Sequence, residues 1–100
     1  MIAHMKAEIT IERLDEPKYV VTVTERNSRT QHTVTVEKAY RDQLAGPEIS
    51  TEELLRRSFD FLLHKEPKES ILRSFDLRVI QRYFPEYEAE IRRMLEKPDT

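Results

Sequence analysis

Three stretches early in the chain alternate apolar and polar residues with a period of two. In residues 7–14, Ala7, Ile9 and Ile11 fall on one side and Glu8, Thr10 and Glu12 on the other, the pattern of a half-buried strand. Residues 19–25 repeat it, with Tyr19, Val21 and Val23 against Val20, Thr22 and Thr24. Residues 31–37 set His32, Val34 and Val36 against Thr33, Thr35 and Glu37. Asp15-Glu16-Pro17-Lys18 and Arg26-Asn27-Ser28-Arg29 separate the runs. The first puts Pro17 where a type I turn wants a fixed φ. Alternating runs joined by short turns predict a three-stranded antiparallel meander, with one Val/Ile face and one Thr/Glu face.

Helical periodicity then takes over. A short helix over 38–45 is stopped by Gly46-Pro47. Ser50-Thr51-Glu52-Glu53 is a capping box that opens a long helix, 51–65, ended by Pro67. At 100° per residue, Leu54, Leu55, Phe59, Phe61, Leu62 and Leu63 span an arc of about 200°. An arc that wide needs the sheet on one side and a second cover on another. Ser58 lies inside it, and a small residue there suggests a close neighbour. Residues 68–74 read as a short helix or turn. Asp76 is a candidate N-cap for a helix over 77–84, and Pro85 stands at the first position of a helix over 86–97. On that last helix Tyr87, Ile91, Met94 and Leu95 form a narrow apolar stripe, and its acidic start and basic end match the helix dipole. The fold class is therefore α+β, a meander followed by a helical half.

Length fits one domain over 1–100. His4-Met5 is a dipeptide that cloning often leaves, so residues 1–5 read as disordered or vector-derived, and 98–100 as frayed. The first residues hold no apolar run of signal-peptide length, and no segment reaches the apolar length of a membrane span. The absence of cysteine removes disulfides, zinc-thiolate sites and thiol nucleophiles and fits a cytoplasmic setting. A single glycine, Gly46, excludes phosphate-cradling and dinucleotide-binding loops, which need several. Net charge is −2, with both halves balanced, so there is no general basic excess to bind nucleic acid.

Candidate chemistry is sparse. His32 lies among valines on a strand, so it reads as a partly buried sheet residue. His64 follows Asp60 by four residues, but two ligands are half a metal site, and a solvated helix face is the plainer account. No nucleophile, base and orienting group can be assembled, so the chain reads as no enzyme, with no cofactor and no metal. Arg57-Ser58-Phe59-Asp60 recurs as Arg73-Ser74-Phe75-Asp76, an echo that chance or similar local packing explains. The one local oddity is basic. Arg78 and Arg82 stand together opposite the apolar arc of helix 77–84, with Arg73 just before them. Arg82 is expected to pair with Glu86, whereas Arg78 has no acidic residue three or four positions away. Arginine forks suit carboxylate and phosphate. Arg73, Arg78, Arg82, Tyr83 and Tyr87 are therefore the candidate interaction surface, weighed against a solvated helix face.

The run Glu66-Pro67-Lys68-Glu69-Ser70-Ile71-Leu72-Arg73-Ser74-Phe75-Asp76-Leu77, then Tyr83-Phe84-Pro85-Glu86-Tyr87-Glu88, resembles small uncharacterised bacterial proteins with a β-rich N-terminus and this signature. The likeness spans about residues 6–94. It implies a bacterial or archaeal cytoplasmic protein and carries over no activity and no functional residue. The expected function is a non-catalytic protein-interaction or regulatory module. A homodimer through strand edges or helices is expected on equal terms with mutual coverage of the helices inside one chain. The alternatives are nucleic-acid binding by the local arginines and, last, a small enzyme or metal-binding protein.

Overall fold

The computed structural model describes residues 7–96, so the expectations for residues 1–5 and 98–100 lie outside the described residues. The alternating runs form β1 (Glu8–Arg13), β2 (Lys18–Glu25) and β3 (Ser28–Thr35). Both neighbouring pairs are antiparallel. Ile9, Tyr19, Val21, Val23, His32, Val34 and Val36 are buried on one face, as the period of two requires. The third strand begins three residues earlier than the alternation suggests, because the second turn is only Arg26-Asn27, with Glu25 facing Ser28. Pro17 stands at the third position of the first turn, which the Lys18 N–H closes onto the Asp15 carbonyl at 2.8 Å. It does not take the second position of a type I turn, and the Glu16–Pro17 peptide is cis.

The helical half opens with α1 (Lys38–Ala45), which ends at Gly46 with a φ of 88°, a left-handed conformation that glycine takes without steric cost. The long helix α2 (Thr51–Lys65) starts at Ser50, whose Oγ accepts the Glu53 N–H at 3.0 Å. A 3-10 turn, Lys68–Ser70, follows. Then comes a fourth strand, β4 (Ser74–Asp76), where the sequence suggested only a turn and a helix cap. It pairs parallel to β3 and sets the sheet order β1-β2-β3-β4. The Thr33 N–H donates to the Arg73 carbonyl at 2.8 Å and the Leu77 N–H to the Thr35 carbonyl at 2.9 Å. Three residues are too few to show an alternation, so pairing with β3 reveals this strand and local pattern does not.

The C-terminal helices start later than expected, and the expected end of the last one at Lys97 lies outside the described residues. α3 covers Val79–Tyr83 instead of 77–84, because Asp76 Oδ1 takes the Arg78 N–H at 3.0 Å in a turn that precedes the helix. α4 is Tyr87–Glu96. The Glu86 carbonyl accepts the Glu90 N–H, so Glu86 caps α4 and Pro85 lies outside the helix.

α2 spans the apolar face of the sheet. Its Phe59 ring lies 5.5 Å from His32 on β3 and 6.3 Å from Phe75 on β4. The other side of its arc is covered by α4 and α1. Phe61 meets the Tyr87 ring edge-on at 5.4 Å. Ser58 has the close neighbour its size implies, with its Oγ 2.7 Å from the Tyr87 hydroxyl. The Tyr40 hydroxyl donates to Glu88 at 2.8 Å and ties α1 to α4. The apolar excess of α2 is thus buried inside the chain, and this removes one of the two reasons to expect a dimer.

The other reason was an open strand edge. The Leu14 N–H donates to the Lys18 carbonyl, so ladder bonds fall on the even residues of β1. Ile9, Ile11 and Arg13 therefore aim their backbone groups away from β2. Arg56 on α2 reaches one of these, donating to the Ile9 carbonyl at 2.7 Å. A side-chain cation on an edge carbonyl blocks strand addition there. Arg56→Ala is expected to strengthen self-association about tenfold, the worth of roughly one recovered backbone hydrogen bond. Sedimentation equilibrium of both proteins measures it. An unchanged mass distribution at the highest soluble concentration denies Arg56 that role.

Candidate functional site

The segment after α2 turns an apolar sequence partly outward. Ile71 is buried while Leu72 is 46% exposed. The Leu72 backbone is pinned, because its carbonyl accepts from His32 Nδ1 at 2.8 Å. Phe75 on β4 is half-buried beneath Phe59, and α3 follows with Val79, Ile80 and Tyr83. Tyr83 is 64% exposed. Phe84 packs edge-on against Phe61 at 5.9 Å. These groups and the last turn of α2 enclose a cleft of about 190 Å³, with Leu62, Leu72, Phe75, Val79 and Tyr83 among its walls. Glu66 is the one charged residue that lines it. Among the described residues only Leu14, Leu72 and Tyr83 are large apolar side chains left exposed, and two of the three meet at this cleft. A wider, more polar depression of about 460 Å³ lies between the α1–α2 connection and the end of α4, but none of its residues is an exposed large apolar side chain.

The five residues singled out in the sequence do not form one surface. Tyr83 lies on the cleft. Tyr87 does not: it is 0% exposed, with its ring on Phe61 and its hydroxyl on Ser58, and burial pushes that phenol well above its usual range. It is a core residue. Arg78 is not unpaired. Its Nε and a terminal nitrogen take the two oxygens of Asp76, each at 3.1 Å. Burial works upward on the Asp76 carboxyl, but the bonds from the Arg78 side chain and N–H outweigh it and hold the group below its usual range. The partner is two residues back, at the end of β4, outside the i±3 and i±4 spacing that governs helix faces. The Arg82–Glu86 pair does not form either, since Glu86 takes Lys65 at 2.8 Å. Arg73 and Arg82 are exposed, have no ion pair among the described residues and do not line the cleft. The sequence reading missed Leu62, Glu66, Leu72, Phe75 and Val79. The available signal was Leu72 itself, an apolar residue beside Ile71 in the otherwise polar run Glu69–Ser74.

Other groups have structural roles. His32 is fully buried and hydrogen-bonded at both nitrogens. His64 is exposed and bonds the carbonyl of Asp60, not its carboxylate. Lys68 is only 4% exposed, and its Nζ lies 2.8 Å from Glu69 and 3.4 Å from Glu25, which ties the 3-10 turn to the end of β2. The two copies of the Arg-Ser-Phe-Asp echo adopt different conformations, helix and strand, yet their phenylalanines, Phe59 and Phe75, pack on each other. No helix among the described residues is long and apolar enough to cross a membrane. No family model, curated protein or solved structure matches the chain.

Proposed function

We propose that the chain is a non-catalytic protein-interaction module whose cleft between the end of α2, the segment around Leu72 and α3 takes an apolar anchor side chain from a partner protein. One observation carries this reading: among the described residues, two of the three exposed large apolar side chains flank the same concavity. Isolated exposed apolar residues need no explanation, whereas a pocketed pair is what an interface anchor uses. Size points the same way. Pockets for cofactors and drug-sized ligands run to about 300–1,000 Å³, and a cleft of about 190 Å³ suits one or two side chains. The arginine surface is the weaker basis for a partner, because Arg78 is already neutralised by Asp76. For nucleic acid the same neutralisation counts against the site, and the open sheet face presents Glu8 and Glu12.

A displayed library of random peptides, selected against the intact protein, tests the reading. Selection is expected to enrich a motif with one large apolar residue. The enriched peptides should bind Leu72→Glu or Tyr83→Glu at least about tenfold more weakly, the cost of burying a carboxylate in an apolar contact. Both positions are exposed, so circular dichroism and the thermal midpoint should match those of the parent protein. Enriched peptides that bind both variants at parental strength would move the interaction site elsewhere.

A further inference from the structure

The cleft is lined mostly by apolar side chains and carries a single charge. Glu66 follows the last residue of α2, and its backbone N–H closes the helix onto the Leu62 carbonyl. Its side chain lines the cleft, yet among the described residues its carboxylate has no hydrogen bond and no ion pair. The neighbouring cations are committed elsewhere. Lys65 lies on the Phe61 ring and bonds Glu86. Lys68 is shared between Glu25 and Glu69. Arg73 and Arg82 are not among the lining residues. The negative end of the α2 dipole adds to the same potential, since the helix terminates at Lys65 beside Glu66. Burial alone pushes the Glu66 carboxyl above its usual range, and no local cation offsets it. A carboxylate left partly desolvated with no counter-charge favours whatever ligand brings one.

We infer that the cleft selects a cationic partner segment, an apolar anchor flanked by lysine or arginine, with Glu66 as the residue that reads the charge. This rests on the cleft being an interaction site and adds the chemistry of its occupant. The apolar stem of the basic residue would lie on Leu72 and Val79 while its head meets Glu66, as long cationic side chains do at apolar–polar boundaries. An acidic segment of the same shape is rejected by like charge, so one residue supplies both attraction and discrimination.

Three small probes of one shape separate the parts of this inference: 4-phenylbutylammonium, 4-phenylbutanol and 4-phenylbutyrate. Each is titrated into the ¹⁵N-labelled protein and followed by amide chemical shifts. The expected shifts cluster at Leu72, Val79 and Tyr83 for the ammonium and the alcohol. The ammonium should bind about tenfold more tightly than the alcohol, the worth of one partly exposed opposite charge, and the carboxylate more weakly than either. Glu66→Gln should erase the gap between ammonium and alcohol without weakening the alcohol. Equal binding of the three probes to the parent protein, or a gap that survives in Glu66→Gln, overturns the charge selection and leaves the apolar cleft standing. If no probe perturbs these amides, the cleft reading itself fails.

Discussion

Tyr87→Ala is expected to destabilise the protein by about 3–5 kcal/mol, the usual cost of emptying a large buried aromatic site. The side chain has no exposed surface, and it fills the junction where α4 meets α2. Small domains hold roughly 5–15 kcal/mol in total, so this one change brings the fold to the edge of its range. Tyr87→Phe asks a narrower question. It keeps the ring on Phe61 and removes only the hydroxyl that Ser58 meets at 2.7 Å. The buried serine would lose its cross-helix partner at a cost of about 1–2 kcal/mol. Ser58→Ala should cost about the same, because it leaves the tyrosine hydroxyl without its partner. The double variant should cost little more than either single one, with a coupling of about 1–2 kcal/mol. Urea unfolding of the four proteins measures the cycle. Strict additivity would show that the two hydroxyls do not bond. An unaffected midpoint in Tyr87→Ala would take Tyr87 out of the core. A loss of partner binding in any Tyr87 variant therefore reports on folding, not on a surface.

The same residue shows how far the sequence can be read. The apolar stripe Tyr87, Ile91, Met94 and Leu95 already marks the buried side of α4, and Tyr87 and Ile91 are indeed fully buried. Proximity in sequence to Arg78, Arg82 and Tyr83 is what pulled Tyr87 into a surface. Those residues belong to α3 and the turn before it, with a different facing. Periodicity located the three antiparallel strands and the Ser50 cap because each is a property of adjacent residues. It could not locate β4, whose evidence lies in hydrogen bonds to β3 some forty residues earlier. The cleft was hidden for the same reason. Leu62 and Glu66 come from the end of α2, Leu72 from a loop and Tyr83 from α3, and only the packing of α3 and β4 beside α2 brings them together. What the sequence did carry was the residue types: an apolar pair, Ile71-Leu72, with nothing periodic to bury both.

The site also depends on a group deep in the sheet. His32 is 1% exposed and lies between Thr30 Oγ1, 2.8 Å from Nε2, and the Leu72 carbonyl, 2.8 Å from Nδ1. A carbonyl only accepts, so the proton must sit on Nδ1, and Nε2 accepts from the threonine hydroxyl when the ring is neutral. This bond anchors the backbone of Leu72 while its side chain turns out into the cleft. Burial lowers the histidine's affinity for a second proton. The Leu72 bond opposes that and the nearby Arg73 charge reinforces it, and the net shift is downward from 6.5. The unfolded chain then binds more protons than the native one at any pH between the lowered native value and 6.5. Stability from this source is complete above the unfolded pKa and drains away as pH falls below it. Between about pH 7.5 and about pH 5.5 the loss should be on the order of 1 kcal/mol at most, because a single proton is taken up and only in the lower part of that interval. The carboxylates held below their usual range (Asp42, Glu69, Asp76 and Glu86) contribute only in more acidic solution. Glu66, whose shift is upward, acts in the opposite sense, because acid relieves its burial. Urea unfolding at the two pH values, repeated on His32→Gln, isolates the histidine. The variant should be less stable at neutral pH and should lack the parent's fall in acid. An equal fall in both proteins would assign the pH dependence to other groups, and a flat parent profile would mean that His32 can take up its proton without leaving the core.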